Sequence, residues 1–178
     1  MIRTLDLRGK SLTKAGYQRA IPRATLDIAA AMKVIEPILE RVENGDESEL
    51  IKLAQEFDGV TPASIKVSQE ALDKALAELD PKVRQALEVS IVRIRKVHTD
   101  QIRTEKTTRV VDGGLVTERW IPVDRVGLYV PGGRAVYPSS VLMNVIPAQI
   151  AKVSSIAIAS PPQKEFGGLP HPTILAAC

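Results

Sequence analysis

Cysteine and aromatic residues are scarce in this chain of 178 residues. The single cysteine is Cys178, which excludes an internal disulfide framework and a cysteine-based zinc knuckle and suits a reducing cytoplasm. Aromatic residues make up 3% of the sequence, too few for the stacking platforms of a single-strand nucleic-acid binder. The apolar runs fall short of the ~18 residues that a membrane span needs. The first ten residues also lack the apolar stretch of a secretory signal.

The chain has little excess charge of either sign. It carries 24 basic and 21 acidic residues, a formal net charge of +3. The densest basic stretch, Arg93, Arg95 and Lys96, fits the solvated face of a helix better than the basic stripe of a nucleic-acid binder. We therefore expect neither a nucleic acid nor a membrane as partner, and a cytoplasmic location.

Apolar residues are plentiful, at 44% of the chain, which is enough for a packed core. Residues 1–24 are weakly periodic and interrupted by glycine and proline, and we interpret them as an N-terminal helical arm. From Leu26 to Val42 apolar residues recur at helical spacing. Pro37 lies inside this pattern, where it either kinks the helix or begins a new one.

Three helix starts can be located from their capping residues. Asp46 is followed by Glu49 at the capping-box position, and Ser68 precedes another apolar-periodic segment. Asp80-Pro81 combines an acceptor side chain at the cap with proline in the first turn. Between the helix that begins after Asp46 and the helix that begins after Ser68, residues Ile65–Val67 predict a short strand. Residues 25–125 are thus predicted to form a helix-rich region.

The pattern changes after residue 106. Residues 107–123 predict a hairpin around the turn Asp112–Gly114. The segment 126–159 then alternates a short apolar strand, a helical pattern and a second apolar strand, which is the size of one βαβ unit. Two short buried strands around a helix imply a parallel sheet and an α/β fold, so residues 126–178 predict an unfinished nucleotide-style βαβ unit.

A few residues could carry chemistry. Gly132-Gly133 between a strand and a helix indicates either a phosphate-binding loop or a tight turn. Ser139 and Ser140 lie at the start of that helix, where capping is their default role and ligand contact the alternative. The two histidines, His98 and His171, are far apart in sequence and have no metal-ligand spacing, so structural roles are expected.

The last residues predict an unfinished fold. Residues 171–178 have the pattern of an apolar helix without a C-terminal cap. A sheet of two strands with one crossover cannot bury both of its faces. We therefore expect that the sequence stops in the middle of a domain.

The segment Arg125–Gly133, with the sequence RVGLYVPGG, resembles the histidinol dehydrogenase family in combination with several other pieces in the same order. The resemblance extends from about Ile28 to the last residue. The other pieces are Asn44–Asp46, Phe57–Gly59, His98, Ser140–Met143, Pro147–Ala151, Ser160–Pro162 and His171–Ala177.

The resemblance implies an enzyme of histidine biosynthesis. Members of this family oxidise L-histidinol through an aldehyde to L-histidine with NAD, using zinc to hold the substrate and a Glu-His pair for acid–base chemistry. They are cytoplasmic intertwined homodimers, more than twice as long as this chain, with incomplete Rossmann-like domains related to aldehyde dehydrogenases.

The resemblance assigns few site residues to this chain. Tyr129 and Pro131 correspond to residues that contact NAD, and Ser139 to a serine near the substrate. The alternative for Tyr129 is a half-buried sheet tyrosine. No catalytic residue and no zinc ligand is assigned here, so we expect the chain alone to be inactive. The alternative function is a non-catalytic truncated homologue that binds a nucleotide or dimerises.

Overall fold

A computed structural model describes residues 4–21, 27–132 and 135–178. Backbone contacts divide the chain into two compact units, Met1–Gly45 and Asp46–Cys178. The boundaries predicted near residues 24 and 125 stay predictions. In the described ranges, no helix is both long and apolar enough to span a membrane.

In residues 4–21 and 27–45, which the structure describes, the first unit contains two helices. Helix α1, Lys14–Ala20, begins where the Thr13 hydroxyl accepts a hydrogen bond from the backbone of Gly16. The arm predicted for this segment was expected to be helical, and α1 agrees with that expectation, although the weak periodicity of its apolar residues did not locate the helix. Helix α2, Ile28–Asn44, is one continuous helix that contains Pro37. Pro37 therefore does not begin a new helix, which was one of the two alternatives left open by the sequence.

The second unit begins with three helices, α3 Glu47–Phe57, α4 Gln69–Ala77 and α5 Pro81–Asp100. All three predicted caps are confirmed, since the side chains of Asp46, Ser68 and Asp80 each accept backbone hydrogen bonds from the first turn. These helix starts were predictable because capping depends on a few neighbouring residues.

The strand predicted at Ile65–Val67 is wrong. This segment is a bend in which the Ser64 hydroxyl donates to the carbonyl of Lys66, and the N–H of Ile65 donates to the Glu47 carboxylate at 3.1 Å. A short β-branched run becomes a strand only when another strand pairs with it. Here side chains bind the backbone groups that a strand partner would have used.

The predicted hairpin is confirmed. Strand β1, Lys106–Val111, pairs antiparallel with β2, Gly114–Glu118, and the register shifts between Arg109 and Val111. The second strand ends at Glu118, before the predicted end at residue 123. Nearly all residues of the hairpin are exposed.

The predicted βαβ unit is also confirmed. Strand β3, Arg125–Tyr129, leads to helix α6, Pro138–Ile150, and then to strand β4, Ser155–Ala159. The two strands pair in parallel, with Tyr129 beside Ala159 at their carboxyl ends. The α/β class inferred from the sequence is therefore correct.

A small core lies under the carboxyl ends of these strands. After a 3-10 helix at Lys164–Phe166, helix α7, Pro172–Ala177, packs against α4 and α6. Val130, Val141 and Ile174 form the fully buried cluster, which joins the end of β3 to helices α6 and α7. This cluster fixes the position of the strand end that carries Tyr129.

Candidate functional site

The predicted site residues lie around the carboxyl ends of β3 and β4. The parallel pairing continues one residue beyond β3, where the N–H of Val130 donates to the carbonyl of Ala159 at 2.8 Å. The chain then leaves the sheet in two loops, which begin at Pro131 and Ser160. Ligands of open parallel sheets bind at this edge, because loops and helix N-termini meet there.

Tyr129 is the most exposed aromatic side chain at this edge, with 65% of its surface accessible. Exposed and partly buried residues alternate along both strands, with Leu128 and Ile158 facing the helix-covered side. Tyr129 is therefore on the opposite face, where its neighbour Gly127 has no side chain and its partner Ala159 has only a methyl group. The structure shows an exposed ring rather than the half-buried tyrosine of the alternative interpretation.

The loop after β3 begins with an exposed proline and a buried glycine. Pro131 lies two residues beyond Tyr129 at the same edge, and Gly132 is enclosed by the loop that follows β4. A β-carbon on Gly132 would lie 3.0 Å from the Ser160 hydroxyl oxygen, so a larger residue at position 132 would require the Ser160 side chain to shift. Gly133, the second glycine of the predicted phosphate loop, lies outside the described residues, as does Arg134.

Two polar residues of the second loop, Ser160 and Gln163, also lie at this edge, and the sequence did not indicate either of them as a site residue. The Gln163 side-chain amide donates a hydrogen bond to the carbonyl of Gly132. The Ser160 hydroxyl oxygen is buried and has no hydrogen-bond partner in the part of the chain that the structure describes. The hydrogen bond between Gln163 and Gly132 is partly buried and joins residues 31 positions apart, so no local sequence pattern could have predicted it.

Ser139 lies at the beginning of α6, exposed and near the same edge. The N-cap of α6 is Tyr137, with Pro138 in the first turn, and no side chain caps this helix. Capping by Ser139 or Ser140 is therefore wrong, because the helix starts before both of them. Pro138 has no backbone N–H, and the N–H of Ser140 donates to the carbonyl of Tyr137 at 2.9 Å, so the first turn of α6 offers few backbone donors to an anionic ligand group.

The two histidines occupy different places in the second unit. His171 is the N-cap of α7, where Nδ1 accepts from the N–H of Thr173 at 3.1 Å and the ring packs edge-on against Phe166. This confirms its predicted structural role. His98 is half-buried near the end of α5, beside a groove that also contains Arg103 and Trp120.

No group of three histidine, cysteine or carboxylate side chains within residues 4–21, 27–132 and 135–178 could hold a metal ion. Cys178 is also not an activated nucleophile. Burial raises the pKa of its thiol, which donates to the carbonyl of Ile174 at 3.2 Å, so the reactive thiolate is disfavoured.

Comparison with known proteins gives the family. The family model described as histidinol dehydrogenase matches residues 21–178. The chain belongs to the histidinol dehydrogenase family. This confirms the resemblance inferred from RVGLYVPGG and its companion segments.

Histidinol dehydrogenases of known sequence and structure match most or all of the chain. It is 61% identical to the histidinol dehydrogenase of Thermobifida fusca and 59% identical to that of Streptomyces avermitilis, in both cases over its whole length. The chain spans 40% and 41% of those two relatives. The crystal structure of histidinol dehydrogenase from Elizabethkingia anophelis matches 88% of the chain with a TM-score of 0.79 and 27% identity, and the match covers 35% of that structure.

Proposed function

We propose that this chain is the cofactor-binding portion of an NAD-dependent histidinol dehydrogenase. The enzyme would oxidise L-histidinol in two steps to L-histidine, in histidine biosynthesis. Membership of the family and the dehydrogenase names of the relatives support this proposal. They do not favour the alternative of a non-catalytic homologue.

The single observation that carries the cofactor assignment is the placement of Tyr129. Its exposed ring stands at the carboxyl end of β3, on the face where Ala159 leaves room beside it. A flat aromatic ring can pack on a nucleotide while its hydroxyl group binds a ribose or phosphate oxygen. We propose that Pro131 lines the same surface, and that Ser139 at the start of α6 lies near the substrate.

Bound NAD would supply the carbon that accepts hydride, and the residues of this chain would bind and orient it. The described residues do not fit a zinc site, so we assign no step that involves the metal to them. We place the zinc ligands and the Glu-His pair outside this chain. The chain alone should therefore bind nucleotide without oxidising histidinol.

Several broader features belong to the same proposal, because the family implies them. We propose that residues 126–178 begin the NAD-binding domain, and that its Rossmann-like fold is related to that of aldehyde dehydrogenases. We also propose that the complete enzyme is a cytoplasmic homodimer. Light scattering of the complete enzyme tests the dimer, and a monomer would contradict it.

Titration of the chain with NAD tests the cofactor site. Ligand-observed NMR or calorimetry would measure the dissociation constant for the wild type and for Tyr129→Ala. We expect the substitution to weaken binding by about fivefold, since losing an aromatic contact costs on the order of 1 kcal/mol. Tyr17→Ala is the matched control, because Tyr17 is an exposed tyrosine in the other unit. Equal affinities for wild type and Tyr129→Ala would refute the assignment.

Catalysis is tested separately with the same protein. The chain is incubated with L-histidinol, NAD and Zn²⁺, and NADH formation is followed. We expect no turnover. Turnover above the rate of a protein-free control would show that catalytic groups are present in this chain and would contradict our placement of them.

A further inference from the structure

We propose that Gln163 is a positioning residue for the cofactor site, because it joins the loop after β3 to the loop after β4. The proposal rests on the proposed function, since it concerns the same edge of the sheet. Gln163 does not need to touch the cofactor for this role. Its effect would pass through Gly132 to the strand end that carries Tyr129.

The contact itself is a hydrogen bond to a buried backbone group. The Gln163 Nε2 atom donates to the carbonyl oxygen of Gly132, which lies three residues after Tyr129. Gly132 is buried, so water cannot easily replace this donor. The cost of leaving a buried carbonyl without a donor exceeds the net gain from an ordinary hydrogen bond.

The backbone of Gln163 is itself held in place. Its N–H donates to the carbonyl of Leu169 at 3.0 Å, and its carbonyl accepts from Gly168 at 2.9 Å and from Phe166 at 3.2 Å. These bonds close the segment 163–169 into a compact turn. The amide group therefore extends from a fixed backbone, and a fixed donor can set the position of the loop that it binds.

The loop after β3 is held at three points in succession. Val130 is fully buried and pairs with Ala159, Gly132 approaches Ser160 closely, and the carbonyl of Gly132 binds Gln163. The exposed residues Tyr129 and Pro131 alternate with these anchored ones. Without the Gln163 donor, the carbonyl of Gly132 loses its hydrogen bond, and the turn at Pro131 can move.

Two substitutions separate the hydrogen bond from the bulk of the side chain. Gln163→Leu keeps a similar volume and removes the donor at every pH. Gln163→Glu keeps the shape, and its carboxylate cannot donate at neutral pH, but its protonated form can. Because an ordinary glutamate titrates near pH 4.3, the Glu variant should recover the hydrogen bond as the pH falls toward ~4.

The experiment is an NAD titration of the full chain, with amide hydrogen exchange of Tyr129, Val130 and Gly132 recorded on the same samples. At neutral pH we expect both variants to bind NAD about tenfold more weakly than the wild type, and to exchange faster at these amides. On acidification, the ratio of affinities for Gln163→Glu and wild type should return toward one, whereas the ratio for Gln163→Leu should not. Gln149→Leu, near the opposite end of α6, is the matched control and should bind as the wild type does.

The outcomes distinguish the two proposals. If the wild type binds NAD and Gln163→Leu binds it equally well, the positioning role is refuted and the cofactor site stands. If the wild type does not bind NAD, the proposed function of this edge fails, and the role of Gln163 fails with it. If both variants lose affinity and neither recovers at low pH, the hydrogen bond is not the cause and the proposal is overturned.

Discussion

Replacing Ile174 by alanine should destabilise the second unit and loosen the strand end beneath the cofactor site. Ile174 is 1% exposed and packs with Val130 and Val141, which belong to the end of β3 and to α6. The substitution removes three buried carbon atoms from a small cluster that has few other side chains to refill the space. Measured costs for such changes are 2–5 kcal/mol, and we expect about 3 kcal/mol here.

Urea unfolding followed by circular dichroism measures this change in the free energy of unfolding. Ile121→Ala is the matched control, because the side chain of Ile121 is 72% exposed and should change stability by less than ~0.5 kcal/mol. Val130 follows Tyr129 directly, so the Ile174 variant should also show faster amide exchange at Val130. If Ile174→Ala and Ile121→Ala unfold at the same urea concentration, α7 does not pack into this core as described.

Three further predictions concern local interactions. Asp80→Ala removes the cap of α5 and should lower the free energy of unfolding by about 1 kcal/mol in urea. Hydrogen bonds from the hydroxyl and N–H of Ser48 lower the pKa of Asp46 below its ordinary 3.8, so its contribution to stability is present above that pH and is lost as the pH falls through the lowered pKa. The stability difference between wild type and Asp46→Asn should therefore shrink as the pH falls through this lowered pKa, and a difference that stays constant during acidification would contradict the linkage. The Arg103 guanidinium lies 4.9 Å from the centre of the Trp120 ring, so Arg103→Ala should shift the fluorescence of this single tryptophan toward longer wavelength. An unchanged spectrum would mean that the pair does not form in solution.

Helix starts were predictable from the sequence because capping depends on residues that are neighbours in the chain. Asp80-Pro81 places an acceptor and a proline where the first turn requires them, and the structure has both in these positions. Strands depend on partners that are distant in the chain. Ile65–Val67 has the composition of a strand but no strand to pair with, so the local pattern was misleading.

Ser139 and Ser140 show a second limit of local patterns. Both are good capping residues, but the helix begins at Pro138, whose fixed φ suits the first turn, and this places both serines inside the helix. A shift of two residues in the helix start is enough to change the role of a side chain from capping to exposure at the edge of the site.

The placement of the candidate site was predictable, and the contacts that hold it were not. The apolar runs of β3 and β4 indicated a parallel pair, and parallel strands bring their carboxyl ends, and hence Tyr129, to one edge. The bond from Gln163 to Gly132 depends on where two separate loops lie in space. No spacing in the sequence encodes that distance.

The packing of α4 against α7 has a consequence for synthesis of the chain. About 95 residues separate the end of α4 at Ala77 from the start of α7 at Pro172. At a translation rate of about 5–20 residues per second, the ribosome needs roughly 5–20 s to make that interval. During this time the apolar side of α4 has no α7 to cover it, so the nascent chain offers a binding surface to chaperones that the finished protein conceals.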